Sequence, residues 1–429
     1  MPHNDARTPG PPPPIHAPDD GDVGSRADHS WPDDRRVIES DQDGAVWRVK
    51  PSDAPLIPGR PGGPLSGRRV AVKDLFAVAG QRIGAGNPYW LTSAPVEDTH
   101  AAAVAALLNA GADVAGIAQT DELAFSLAGA NLHYGTPRNP AAPGRATGGS
   151  SSGPAAAVAA GAADIGLGTD TGGSIRVPSS YCGLYGLRPT HGAVDRTGLI
   201  PLAPSFDTVG MMTRTPADLL DAADVLLPPA GPGGTVRDYL IAPSLMDLAT
   251  TETRHAVHHA VRALARRADG SVHLIDLPEE ILEVWFGAFR TVQTAEAWRE
   301  HAEFVGAHAG LLEPAIEARF RSGAAVTRAA EDDARAVLAD ARDRLHALLV
   351  PGAVLALPAT SSPAPPVGAD AAMIDAIRAA TLRLTCLAGA GGLPALTIPT
   401  AQANGLPVGL CLVAGSDADR SLLSLLEVP

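Results

Sequence analysis

The sequence is poor in aromatic residues, in cysteine and in positive charge. Only 7 Phe, 5 Tyr and 5 Trp occur among 429 residues, so Ala, Val and Leu must build the core. Three cysteines, Cys182, Cys386 and Cys411, stand far apart with no CxxC or other ligand spacing. That pattern excludes a disulfide framework and a zinc module, and it fits a reducing compartment. Lys and Arg number 33 against 47 Asp and Glu, a formal charge of −14, which argues against nucleic acid or anionic lipid as the main partner. No apolar run approaches the roughly 20 residues of a membrane-spanning helix. The N-terminus also lacks the basic-then-apolar order of a secretory signal, so the expected location is cytoplasmic.

Glycine and proline are abundant, at 45 and 39 residues, a loop-rich composition that falls short of the low-complexity class. Pro11 to Pro14 and the acidic residues Asp19, Asp20, Asp22, Asp33 and Asp34 crowd the start of the chain. Few large apolar side chains are present there to offset the entropy of ordering, so a disordered tail is expected over residues 1–35. One domain is expected over 36–429, without internal repeat or linker. Strand-like runs at 69–72, 113–118, 164–167, 354–357 and 395–398 alternate with helical patterns at 101–110, 154–160 and 329–349. This alternation predicts an α/β fold with a sheet covered on both faces. Residues 251–347 read as mostly helical, and a helical cap is expected over about 236–350.

Two glycine-rich loops stand out. The first is Gly148-Gly149-Ser150-Ser151-Ser152-Gly153, followed by an Ala-rich helical stretch; the second is Gly168-Thr169-Asp170-Thr171-Gly172-Gly173-Ser174-Ile175-Arg176. Such turns let backbone N–H groups converge on an oxyanion or a phosphate, although serine and glycine runs are also common in plain turns. Phosphate binding of the Walker type is a poor match, because Pro154 follows Gly153 where a lysine is needed. Residues 149–153 match GxSxG with Ser151 central, but that motif needs a strand directly before it. Residues 136–147, rich in Pro, Gly and Asn, are no strand. A third reading adds Val70-Ala71-Val72-Lys73-Asp74. A lysine at the end of an apolar strand is ordinarily exposed, whereas a buried one loses its proton readily and becomes the general base a serine nucleophile requires.

Together with Cys182-Gly183-Leu184-Tyr185-Gly186-Leu187-Arg188-Pro189-Thr190, these segments resemble the amidase signature family, closely over 67–219 and again over 354–425. The resemblance implies an α/β/α sandwich around a mixed central sheet and a Ser-cisSer-Lys triad. By position, Ser174 corresponds to the nucleophile, Ser150 to the bridging serine after a cis peptide bond, and Lys73 to the base. It further implies an oxyanion hole from the amides of Thr171, Gly172, Gly173 and Ser174, with Asp170 and Arg176 as structural supports of the turn. The implied chemistry is hydrolysis of a small linear amide through an acyl-enzyme, with no metal or organic cofactor. The implied partners are a small-molecule amide and at most a second copy of the chain as a homodimer, with neither direct nucleic-acid contact nor a membrane.

The segments 86–90 and 133–140 resemble the indole-3-acetamide hydrolase type, which favours an aryl or alkyl primary amide. Phe125, Tyr134 and Trp285 are candidates for an apolar substrate pocket, with core packing as the ordinary explanation of each. Two other functions remain open: a glutaminase subunit of a tRNA-dependent amidotransferase, and a catalytically silent binding protein. The chain departs from the family pattern at Ala118-Gln119-Thr120, where Gly-Lys-Thr is common, and at Ser152 and Pro154 in the first loop. His191 reads as structural or exposed, His255, His258 and His259 as a solvated helix face among arginines, and Cys182 as a small packing residue.

Overall fold

Short apolar runs without polar alternation form the centre of the molecule. In the computed structural model, which describes residues 43–229 and 234–427, Val70 and Val72 enter one buried cluster while Ala71 between them enters another. Val354 and Ala356 likewise face one cluster, and Leu355 and Leu357 the other. A strand with both faces buried has no exposed side on which to place polar residues, which accounts for its continuous hydrophobicity. The tail expected over 1–35 lies outside the described residues.

Eleven strands make one mixed sheet: β1 (Trp47–Val49), β2 (Arg69–Lys73), β3 (Asp113–Ala118), β4 (Ile165–Asp170), β5 (Tyr185–Arg188), β6 (Thr208–Thr213), β7 (Asp238–Ile241), β8 (Ser271–Leu274), β9 (Ala353–Pro358), β10 (Ala395–Ala403) and β11 (Leu406–Ala414). Their order is β1-β3-β2-β4-β6-β5-β10-β11-β9-β7-β8. The neighbours β3, β2 and β4 run parallel, as do β9, β7 and β8, and the remaining pairs are antiparallel. With β2 and β4 parallel and adjacent, Lys73 and Asp170 emerge at the same edge. Ligands gather at such carboxyl ends in α/β sheets.

The Ala-rich helix Ser152–Ala159 is buried along its whole length against β2 and β4. Its small side chains let helix and sheet approach closely, and Pro154 in its first turn costs no intrahelical bond. The cap expected over 236–350 needs correction, because its first part belongs to the sheet. β7, the helix Thr251–Arg267 and β8 form a parallel strand-helix-strand unit, and that helix packs on β8, β9, β10 and β11. Only the helices Glu279–Ala307, Pro314–Ala324 and Arg328–Leu348 pack mainly on each other and on the long helix Ala371–Gly391. Among the described residues, no helix is long and apolar enough to cross a membrane.

Candidate active site

Lys73, the last residue of β2, is completely buried. Its Nζ donates to Ser150 Oγ at 2.9 Å and to Thr169 Oγ1 at 2.7 Å. Among the described residues no carboxylate forms an ion pair with it. Burial disfavours the ammonium form and lowers the pKa to about 7, even though Asp121, Asp207 and Asp170 pull the other way. The Lys73 amine is thus poised to gain or lose a proton near neutrality.

Ser150 follows a cis peptide bond from Gly149. Its carbonyl accepts from Asp121 N at 3.1 Å and from Thr120 Oγ1 at 2.9 Å, so Thr120 in the departing Ala-Gln-Thr segment supports this loop. A Cβ on Gly149 would stand 2.1 Å from Asp121 Oδ2, a distance that excludes any side chain at this position. Ser151, the central serine of the GxSxG reading, lies 3.3 Å from both the N and O of Thr169, where it ties the loop to β4.

The second loop is organised by one carboxylate. Asp170 Oδ1 accepts from Gly173 N (2.9 Å) and Arg176 Nη2 (2.7 Å), while Oδ2 accepts from Ile175 N (3.1 Å) and Arg176 Nε (3.0 Å). Arg188 Nη1 adds a contact to Oδ1 at 3.0 Å and one to the Asp170 carbonyl at 2.5 Å. Burial alone would push this carboxyl up, but the two guanidinium groups hold it well below the usual carboxylate range. Asp170 and Arg176 therefore sit where supports of the turn are expected. Arg188 acts beside them as a third member that the sequence motif did not single out, although it stands inside the Cys182–Thr190 block.

The oxyanion-hole expectation requires one correction. The Gly173 amide is turned to Asp170 and shapes the loop, so it is not free for a ligand. The amides of Thr171, Gly172 and Ser174 carry no hydrogen bond to another described residue. These three residues border a small cleft, together with Phe125, Leu127, Leu202, Gln293, Arg378 and Leu382. The Thr171 hydroxyl donates to Asp207 at 2.6 Å, and Thr385 Oγ1 holds the Gly172 carbonyl at 2.5 Å.

Of the three pocket candidates, only Phe125 lines the cleft, with its ring edge-on to Phe320 at 4.9 Å. Trp285 is buried among Leu245, Leu345 and Leu387 and serves the core. Tyr134 sits half-buried in a turn whose amide donates to Asn131 Oδ1 at 3.2 Å, away from the cleft. Gln293 and Arg378 were not visible in the sequence, because they come from helices without a motif. His191 is half-buried and lies 3.0 Å from the Pro204 carbonyl. His255 and His259 are exposed on their helix, and Cys182 is fully buried with its thiol pKa raised by desolvation.

Comparison with known proteins identifies the family. A profile described as Amidase matches residues 24–231. Amidase 1 of Oryza sativa subsp. japonica is 38% identical over 396 residues, covering 85% of this chain and 90% of that protein. Indoleacetamide hydrolase of Pseudomonas savastanoi is 46% identical over 157 residues, covering 37% of this chain and 34% of that protein. The glutamyl-tRNA(Gln) amidotransferase subunit of Thermus thermophilus is 34% identical over 403 residues, covering 85% of this chain and 84% of that protein. A solved structure titled "Crystal structure of amidase" superposes with a TM-score of 0.75 at 31% identity, covering 85% of this chain and 84% of that one. The chain belongs to the amidase signature family and is an enzyme acting on carbon–nitrogen bonds.

Proposed function

We propose that the protein hydrolyses a small linear amide through Ser174, Ser150 and Lys73. The observation that carries this reading is the buried Lys73, bonded to Ser150 at 2.9 Å with its pKa lowered to about 7. Neutral Lys73 takes a proton from Ser150 as Ser150 takes one from Ser174. The Ser174 oxygen then attacks the amide carbonyl, and the amides of Thr171, Gly172 and Ser174 stabilise the negative charge on the carbonyl oxygen. The same relay returns the proton to the leaving nitrogen, ammonia departs from a primary amide, and water hydrolyses the acyl-enzyme. The apolar side chains Phe125, Leu127, Leu202 and Leu382 favour a short aryl or alkyl acyl group.

The test is ammonia release by the purified chain across indole-3-acetamide, phenylacetamide, short aliphatic amides and glutamine, alongside labelling with a serine-reactive fluorophosphonate. The reading expects turnover of at least one amide and a label lost in Ser174→Ala. A protein that neither labels nor turns over any amide is a silent binder. A second reading, a glutaminase subunit, is favoured by the match along 84% of the Thermus protein. It expects Ser174 to label while the isolated chain leaves every simple amide intact.

A further inference from the structure

Arg378 lies on the Ala371–Gly391 helix, in the wall between the Ser174 cleft and a second small cleft lined by Val177, Tyr181, Pro365 and Ile377. The side chain is partly exposed, but its Nε is sealed from solvent, and no hydrogen-bond acceptor among the described residues serves that atom. No carboxylate forms an ion pair with it either, again among the described residues. Its charged neighbours make the position worse. Arg319 and Arg290 repel it, and only the exposed Asp375 on its own helix attracts it. Arg319 is already engaged with the Phe125 carbonyl at 2.9 Å, and Arg290 lies over the Phe286 ring at 5.6 Å. Burial pulls Arg378 down to about 9, which leaves it charged at neutral pH.

A half-buried cation with a sealed, unpartnered N–H and no counter-ion is unfavourable, and one that lines the same cleft as Ser174 gains when an anion arrives. The free Nε belongs to the planar fork that grips a carboxylate with two parallel bonds. Gln293, also lining the cleft and without a hydrogen-bond partner among the described residues, offers a second polar contact. We propose that Arg378 determines specificity in the Ser174 cleft by binding a carboxylate carried on the substrate, so that the preferred amides are short acids with the scissile amide a few bonds from the charge. Among the short acyl groups that the apolar lining accepts, one that ends in a carboxylate is then preferred over its uncharged isostere. This inference rests on Ser174 being the nucleophile, and its test separates the two.

The decisive comparison is succinamate against 4-methylpentanamide, its uncharged isostere, with the wild-type chain. The expected kcat/KM ratio favours succinamate by about tenfold to a hundredfold, the range of one charge-assisted hydrogen-bond pair. Arg378→Met is expected to collapse that ratio towards one, and Arg378→Lys, which keeps the charge without the fork, to retain part of it. A wild-type ratio of one or less, or a ratio unchanged in Arg378→Met, overturns the proposal. Calorimetric binding of succinamate to Ser174→Ala reads the same contact without turnover. Binding that disappears when Arg378→Met is added supports the proposal even where hydrolysis fails, and absence of binding to Ser174→Ala overturns it. Loss of fluorophosphonate labelling at Ser174 marks the separate failure of the hydrolase reading.

Discussion

Lys73 contacts two hydroxyls where a surface lysine would find water or a carboxylate, and this difference governs how the site responds to pH. With the folded value near 7 and the ordinary value 10.5, kcat/KM is expected to rise with unit slope as pH approaches 7 and to level off above it. A flat profile from pH 5.5 to 9 with an unchanged amide would remove Lys73 from the base role. Replacing it, as in Lys73→Ala, is expected to lower kcat/KM by about 10²- to 10⁴-fold, the usual contribution of a general base. The same shift appears in stability. Between about 7 and 10.5 the unfolded chain binds a proton that the folded chain has released, so this lysine adds stability as pH rises through that window. Melting temperatures of the wild type relative to Lys73→Met, measured at pH 7 and pH 10, should therefore move in favour of the wild type at the higher pH.

The Thr171–Arg176 turn is an element built around Asp170, and its tolerance to change follows from the two guanidinium groups that Asp170 neutralises. Asp170→Asn leaves Arg176 and Arg188 buried with no counter-charge, a change expected to cost about 3–5 kcal/mol. Chemical denaturation should detect that loss, together with loss of fluorophosphonate labelling as the Gly173 and Ile175 amides are released. A variant of wild-type stability would show that the carboxylate is not the organiser. Asp170, Gly173 and Arg176 of this turn were readable from the sequence because they lie within a few consecutive residues, whereas Arg188 and Thr385 anchor it from elsewhere in the chain; β2, β3, β4, β9 and β10 were readable too, and end within three residues of the expected runs except for β10. The strands that escaped notice have physical reasons for doing so. β6 is buried at every position and interrupted by Gly210, so it offers no alternation, and β8 is a four-residue edge strand with Leu274 exposed. Gln293 and Arg378 reach the cleft only because two helices far along the chain pack against the turn. Trp285 misses it because its ring points into the cluster around Leu345 one helical turn before Phe289.

At the scale of the whole molecule, the end of the chain is built into its middle. β10 and β11 stand between β5 and β9 at the centre of the sheet. The C-terminal half also reaches the Ser174 turn directly, since Arg176 Nη1 donates to the Thr385 carbonyl at 2.7 Å and Thr385 Oγ1 to the Gly172 carbonyl. A second clasp lies away from the cleft, where Asp419 accepts from Thr190 N at 2.9 Å and from its hydroxyl at 2.6 Å. Because sheet and site share these long-range ties, the site cannot outlast the sheet. Activity and far-UV circular dichroism are therefore expected to fall together in urea, with one midpoint. Asp419→Ala removes two buried bonds and leaves Thr190 donors unpaired, so both curves should shift to lower urea by an equivalent of about 1–3 kcal/mol. Activity of the folded variant should stay at the wild-type level, because Asp419 touches neither the cleft nor the turn. Separate midpoints for the two probes would show instead that the C-terminal strands melt independently and that the ties through Thr385 do not carry the site.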